Sequence, residues 1–464
     1  MLYVYIKIVL LFLLSMTKAD QNSVIAKVGN QIIYTNDVIE RAEYTPRPMY
    51  CRGNSLIDKK IIVNTLIGEK LFSKEYKEKY LPEDIQNYLI GRKNQKMRDL
   101  LYNEIIKDNK YQQKDYSHWY ELADYEYDFN YLTVRSSEVM DKIDEQILNG
   151  FDLNKVYQDL SNNNNMLSTK DNLNIFNIDN YHLRNSLFSQ KRFVGEIVGP
   201  VKVDDNFFMY YEISDVVKKI NINNNDRIRI FNDINEIIDH QSNQLFYEKY
   251  VKSVMSGLEM KLNDQSFRKF SNLVSSWYND NQKFDLEKQD FSNTLVEIGK
   301  DSFSIDEILS MIKIHPLQFR NGYYRKMTFN QQLKYALADL IRDIYLNTEA
   351  KKMGLDNHVA VINEYEKWYD NFRAVQNRKS IVGDINFSSM NVPKALNQYF
   401  SKLAKKHSND IWINIKAIES LSLSSIDMVV LNDNKPYEVF CPTFPVITSH
   451  HQFDFGQRLD LYEN

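Results

Sequence analysis

The sequence predicts an α+β protein that is mostly helical, built from a duplicated helical module with a small sheet-containing domain inserted into its first copy. Glycine and proline are scarce, 13 and 9 in 464 residues, which favours long helices. Apolar residues recur at helical spacing over long stretches, whereas the strand-like runs are short. A strand, a glycine turn and a helix start occur in residues 24–40 and again in residues 295–309.

Residues 1–19 are predicted to be a signal peptide. Lys7 supplies the positive charge, residues 8–16 are apolar, and Ala19 ends a plausible cleavage site. These nine apolar residues are too few to span a bilayer, which needs about 20. An uncleaved membrane anchor is the alternative.

The mature chain of 445 residues (464 minus 19) is too long for one core and predicts two to four domains. Its formal charge changes from −4 to about −6 when Lys7 and Lys18 are removed, without long charge runs. This argues against nucleic-acid binding, which needs a basic face. Cys51 and Cys441 could pair in an exported protein, or remain thiols.

Residues 20–126 are predicted to form an N-terminal helical module. A strand around Ile25–Val28 leads to a Gly29-Asn30 turn. Thr35 is then predicted to be an N-cap, with Asp37 in the first turn of the helix. Two longer helices are predicted over residues 58–80 and 83–107.

Residues 127–217 are predicted to form the inserted domain. Its strands are expected at 129–134 and 207–213. A turn is expected over 195–201, where Gly199 frees the backbone and Pro200 presets φ before the last strand. Its helices are expected over residues 138–150, 154–160 and 181–188.

This order of elements resembles a parvulin-type peptidyl-prolyl isomerase domain, on the strength of Gly-Phe-Asp-Leu at 150–153 and Gly-Glu-x-x-Gly-Pro at 195–200. Residues 24–81 resemble the N-terminal region of SurA-like periplasmic chaperones, in which a V-x-G-x-x-I-T-x-x-D segment precedes an L-I-x-x-K-L helix. The resemblance implies a location in the periplasm.

The parvulin pattern is degenerate in this chain. The family places a histidine in the first strand and another in the last, and those positions are assigned to Asn130 and Phe208. Asparagine does not titrate near neutral pH, and phenylalanine offers no hydrogen bond. No catalytic residue is therefore predicted, and the fold is expected to be kept for shape. The resemblance implies a substrate-binding pocket formed by Asn130, Phe176, Tyr181, Leu183 and Phe208.

Residues 218–292 are predicted to return as helices that pack on the N-terminal module. Residues 293–424 are predicted to form the second module, without an insertion. In it Ser304 is placed where Thr35 stands and forms a capping box with Glu307.

Two further pairs of segments have similar patterns. The helix at 337–355 parallels residues 63–81. Residues 250–263 parallel residues 399–414, each a helix followed by a short strand and an asparagine, although a chance match is the alternative for this pair. Residues 425–464 are predicted to be a tail with short strands.

Residues 116–131 are dense in aromatic side chains, which could form a sticky surface for unfolded chains or pack a domain junction; packing is the favoured interpretation. The eight histidines show no metal-binding spacing. No cofactor and no metal are predicted.

These features together predict an exported, ATP-independent chaperone (a holdase) that binds unfolded chains, with no nucleic-acid partner and no stable membrane insertion after signal cleavage. The resemblance to SurA-like chaperones implies outer-membrane β-barrel or secreted proteins as its clients. An active prolyl isomerase is one alternative, since parvulins form no covalent intermediate. A docking subunit of an envelope assembly is the other.

Overall fold

A computed structural model describes residues 23–78, 80–110, 117–161, 167–204, 207–219, 224–280, 291–320, 327–383, 391–424 and 443–461. The protein is α+β and 60% helical, with 14 α-helices and three small sheets in these residues. The predicted signal peptide, Cys441 and residues 425–442 and 462–464 of the predicted tail lie outside the described residues.

The elements follow one another along the chain as strands β1–β11 and helices α1–α14. The strands are β1 Val24–Val28, β2 Gln31–Tyr34, β3 Tyr125–Val134, β4 Ser168–Leu173, β5 Ile197–Asp204, β6 Phe207–Lys218, β7 Met260–Leu262, β8 Thr294–Ile298, β9 Asp301–Ser304, β10 Ile411–Ile413 and β11 Gln457–Arg458. The helices are α1 Thr35–Glu43, α2 Leu56–Glu75, α3 Glu83–Lys110, α4 Ser117–Leu122, α5 Ser137–Leu148, α6 Leu153–Ser161, α7 Tyr181–Leu187, α8 Asn224–Val254, α9 Asp264–Asp280, α10 Ile305–Ile314, α11 Phe329–Lys352, α12 Val359–Gly383, α13 Asn391–Lys406 and α14 Ile415–Ser420.

The chain forms two compact units. Unit 1 comprises the chain up to Leu101 and from Met255 onward, and unit 2 comprises Tyr102–Val254. Unit 2 is therefore inserted into unit 1 along the sequence. It includes the end of α3 and all of α8, so it extends beyond residues 127–217 on both sides.

Unit 1 contains two sheets that are built on glycine hairpins. Sheet A has the strand order β11-β10-β1-β2, and sheet C has the order β7-β8-β9. Gly29 and Gly299 turn the two hairpins with φ of +62° and +59°, a conformation that glycine adopts without strain.

The third strand of each sheet joins its hairpin in the same register. In sheet A, Ile411–Ile413 pair antiparallel with residues 28 to 26, and in sheet C, Met260–Leu262 pair antiparallel with residues 298 to 296. An asparagine follows each third strand and caps the next helix. Asn414 Oδ1 accepts from the Ala417 N–H at 2.9 Å, and Asn263 Oδ1 accepts from the Ser266 N–H at 3.0 Å.

The helix that follows the first hairpin begins one residue earlier than predicted. Tyr34 is the N-cap of α1, and its N–H donates to Asp37 Oδ2 at 2.9 Å. Thr35 is already helical, and its hydroxyl bonds to Ser23, which ties α1 to the start of β1. The prediction that Thr35 is the N-cap was wrong. The Ser304–Glu307 capping box is confirmed, and Ser304 stands at the position of Tyr34.

A buried polar network joins α2 to α12 in unit 1. Arg41 donates to Glu69 at 2.8 Å with both side chains almost fully buried, and Asn371 donates to the same carboxylate at 2.7 Å. At the adjacent positions of the two helices, Asp370 accepts from Lys70 at 2.8 Å. Buried charges are stable only when they are paired in this way, so the network fixes how the two helices pack.

Unit 2 contains sheet B, which is antiparallel with the order β4-β3-β6-β5. The residues predicted as a turn, 195–201, form a turn only at Gly195 and then enter strand β5. Gly199 and Pro200 lie inside that strand and are joined by a cis peptide bond. In a strand, glycine and proline are tolerated at an edge or a bulge, and β5 is an edge strand with a register shift beside these residues.

Helix α8 belongs to unit 2. Its residues Ile230, Ile234 and Ile238 pack on the core of sheet B. Towards its end, Asn109 of α3 donates to Asn243 at 2.7 Å. In the part of the chain that the structure describes, no helix is long and apolar enough to cross a membrane.

Candidate functional site

The two faces of sheet B are covered by different helices. On one face Tyr127 and Phe129 of β3 are fully buried in a core shared with α7. On the other face Leu132 of β3 and Tyr210 of β6 pack against α5 and α6. We refer to these as the α7 face and the α5/α6 face.

The α7 face is lined by aromatic side chains. The rings of Phe129 and Tyr211 lie 4.8 Å apart, and those of Tyr127 and Phe188 lie 5.4 Å apart. The Tyr211 hydroxyl is 2.9 Å from Ser186 Oγ, and burial raises the pKa of Tyr211 to about 12. This phenol therefore stays neutral at physiological pH, where it can form hydrogen bonds but does not act as a base.

The structure places two of the predicted pocket residues on the α5/α6 face. Asn130 follows the buried Phe129, and Phe208 precedes Met209 of the α7 face. Successive residues of a strand point to opposite faces, so Asn130 and Phe208 share the side of Leu132 and Tyr210. Asn130 is aligned with Glu212 and Phe208 with Val134.

The other three predicted residues belong to α7 or to the loop before it. Leu183 is buried in the core beneath α7. Tyr181 opens α7, and its ring lies 3.7 Å from that of His182. Phe176 is 39% exposed in the loop after β4. Because Leu183 and the pair Asn130 and Phe208 lie on opposite faces of the sheet, the five residues do not line one cavity.

The residues that do share the α7 face with Phe129 and Tyr211 were missed from sequence. They are Tyr131, which packs partly buried on this core, and Met209, which is 5% exposed. The signal was present in the sequence, since Tyr125, Tyr127, Phe129 and Tyr131 alternate along β3. Aromatic residues at every second position mark one face of a strand.

A turn in unit 2 exposes two large apolar side chains on a rigid backbone. Phe193 is 64% exposed and Val194 is 60% exposed. The Gly195 N–H donates to the Ile213 carbonyl at 2.8 Å, and the Ile213 N–H donates to the Glu196 carbonyl at 3.0 Å. We call residues 193–196 the Phe193 turn.

A buried arginine supports the Phe193 turn from below. Arg192 is 6% exposed and pairs with Glu196. It also donates to Ser189 Oγ at 2.6 Å and to the Leu187 carbonyl at 3.3 Å. Since the backbone is already fixed, a partner that buries Phe193 and Val194 does not have to order this segment on binding.

The environment of His182 in α7 favours its neutral form. Burial lowers the pKa of His182, the nearby Lys202 lowers it further, and Glu248 opposes the shift. The imidazole is thus neutral near pH 7. Among the residues that the structure describes, no group of three or more His, Cys, Asp or Glu side chains could hold a metal ion.

Comparison of the chain with protein-family models, curated proteins and solved structures gave no match.

Proposed function

We propose that this chain is an exported, ATP-independent chaperone of the SurA-like kind that holds unfolded outer-membrane or secreted proteins in the periplasm. The observation that carries the proposal is that unit 2 is inserted, along the sequence, between two hairpins that each pair with a third strand in the same register. That arrangement agrees with a duplicated helical chaperone module whose first copy accepts a parvulin-like domain.

The duplication is supported by equivalent backbone contacts. The Asn414 N–H donates to the Ile25 carbonyl at 2.9 Å, and the Asn263 N–H donates to the Leu295 carbonyl at 3.0 Å. Matching hydrogen bonds at matching positions favour two copies of one unit over chance similarity.

The Phe193 turn supports a role in binding apolar segments. Contiguous exposed apolar surface marks interaction sites, and Phe193 and Val194 are neighbours that are both more than half exposed. We propose that the parvulin-like unit is catalytically inactive, because the α7 face presents neutral tyrosine and serine hydroxyls and apolar side chains.

The experiment is light scattering of a denatured outer-membrane barrel protein diluted into residues 20–464. We expect the chain to suppress aggregation without nucleotide. We expect the double variant Phe193→Ser, Val194→Ser to need severalfold more protein for the same suppression. Leu148→Ser removes an 87% exposed leucine of the same unit and serves as the matched control.

Failure of the wild-type chain to delay aggregation of any denatured exported protein would reject the holdase function. Equal suppression by the turn variant would remove the Phe193 turn from the client surface and leave the holdase function standing. Stoichiometric co-purification with a single partner would favour the docking-subunit alternative. Acceleration of prolyl isomerisation in a peptide would favour the isomerase.

A further inference from the structure

Sheets A and C differ by one strand. Sheet A continues beyond β10 with β11, which runs parallel to it and pairs Gln457 with Trp412 and Arg458 with Ile413. β7 is the counterpart of β10 in sheet C. Within the described residues, no strand pairs with the outer edge of β7.

The backbone groups of β7 are oriented for a further strand. The Asn263 N–H donates inward to Leu295, and in an antiparallel ladder every second residue bonds to the same neighbour. Lys261 therefore bonds inward to β8, while the N–H groups of Met260 and Leu262 point to the outer edge. In β10 the same alternation directs Ile411 and Ile413 towards β11.

The side chains of β10 are more deeply buried than those of β7, as expected if β11 covers β10 and no strand covers β7. Ile411 is 0% exposed and Ile413 is 1% exposed, whereas Met260 and Leu262 are only partly buried. Gly456 contributes to covering Ile411, since a Cβ at this position would stand 3.0 Å from the Ile411 carbonyl oxygen.

We infer that the outer edge of β7 binds an extended segment of an unfolded client chain, added parallel to β7 as residues 455–459 are added to β10. This inference rests on the proposed chaperone function and names a binding site for it. The main-chain N–H and C=O groups supply attraction that does not depend on the client sequence.

The bound segment in sheet A defines the chemistry of the preferred client. Phe455 and Leu459 are both buried, and the backbone approaches closely at Gly456. A client segment with an aromatic residue, then glycine, then a leucine three positions on reproduces this pattern. The β7 edge is only three residues long and carries the exposed Lys261 at its centre. Short, charged edges disfavour permanent pairing, which suits a site that must release its client.

The test uses the full chain and a fluorescent peptide of residues 443–461, the sequence that already pairs with β10. We expect the peptide to bind and to slow amide hydrogen exchange in residues 255–263. Leu262→Pro removes one outward N–H and leaves the inward bonds of Lys261 and Asn263 in place. We expect this variant to bind the peptide at least about fivefold more weakly. Leu262→Val keeps the N–H and should bind like the wild type.

Exchange protection confined to residues 411–414 would show that the peptide merely replaces β11, and would overturn the inference. Equal binding by Leu262→Pro would do the same. The exchange measurement needs no variant, so misfolding of Leu262→Pro would not remove the test. Aggregation suppression without peptide binding at β7 would reject this site and keep the chaperone function. Peptide binding without suppression would reject the chaperone function and keep the site.

Discussion

At Gly199 the ring of Tyr210 occupies the space that any side chain would need. A Cβ at this position would stand 2.5 Å from Cδ1 of the ring and 3.0 Å from the Met209 carbonyl oxygen. Tyr210 is fully buried, and its hydroxyl donates to Asp144 Oδ1 at 2.8 Å, so the ring is held from its far end. Only glycine fits between β5 and this ring.

We expect Gly199→Ala to lower the free energy of unfolding by about 2 kcal/mol, because an added methyl group in a packed site forces its neighbours to move. Chemical denaturation measures the change. Gly383→Ala at the end of α12 is the control, since no atom of the described residues outside its own helix lies within 4 Å of a Cβ there. A Gly199→Ala variant as stable as the control would contradict this account of the site.

Hairpins and helices were predictable from local chemistry, whereas strand β5 and the sheet face were not. The glycine turns at Gly29 and Gly299 follow from backbone freedom, and the Ser304 cap follows from its partner three residues on. The sequence around Gly199-Pro200 predicts a turn, because the Tyr210 ring that makes a glycine necessary there lies in another strand. That constraint is tertiary and has no local signal.

The five predicted pocket residues are divided between the two faces of sheet B for a geometric reason. A shift of one residue along a strand moves a side chain to the opposite face of the sheet. Asn130 is the neighbour of Phe129, and Phe208 is the neighbour of Met209. Phe129 and Met209 belong to the α7 face, so Asn130 and Phe208 point to the other face. The alternating aromatic residues of β3 predict the α7 face instead.

Three helices of unit 1 meet at a histidine that is held in its neutral form. Arg98 donates to Asn347 Oδ1 at 2.9 Å, which turns the Asn347 amide nitrogen towards His315 Nε2 at 3.4 Å. The Asn94 amide lies 3.1 Å from the same ring nitrogen. Beside it, α3 approaches α10 so closely that a Cβ at Gly91 would overlap the Ile314 carbonyl oxygen. If Nε2 of His315 were protonated, its N–H would face the amide N–H groups of Asn94 and Asn347, and no acceptor would be left for it.

Acidification should loosen this junction. Burial lowers the pKa of His315 to about 4, the nearby Arg98 adds to the shift, and Asp343 opposes it. A histidine with a lowered folded pKa contributes stability that is complete above its unfolded pKa of about 6.5 and is lost as pH falls towards 4. Between pH 7 and 4.5, we expect the free energy of unfolding to fall by about 2 kcal/mol less in His315→Gln than in the wild-type protein. Urea denaturation across this range measures it, and parallel pH curves for the two proteins would refute the assignment.

Sheet A and its core depend on residues at the far end of the described chain. Ile447 is fully buried and packs against α2 at Gly68, where a Cβ would stand 2.9 Å from its side chain. Asn64 of the same helix donates to the His450 carbonyl at 2.8 Å. Residues 443–461 are therefore part of the core of sheet A.

Deletion of residues 443–464 should expose this core. We expect hydrogen exchange to accelerate by at least about tenfold in residues 23–75, because several buried apolar side chains lose their cover. Mass spectrometry of peptic fragments measures it, and residues 125–134 of unit 2 serve as the internal control. Unchanged exchange in α2 would show that the segment is dispensable.

The pairing of Val28 with Ile411 sets the order in which the molecule can be assembled. A chain that is synthesised from its N-terminus delivers the β1–β2 hairpin long before β10, the strand that pairs with the other edge of β1. Sheet C draws all its strands from residues 260–304 and can close much sooner. Contacts between distant residues form slowly because a long loop must close first. The β1–β2 hairpin consequently gains its third strand only after β10 has been made, and until then it displays the kind of unpaired strand edge that chaperones protect.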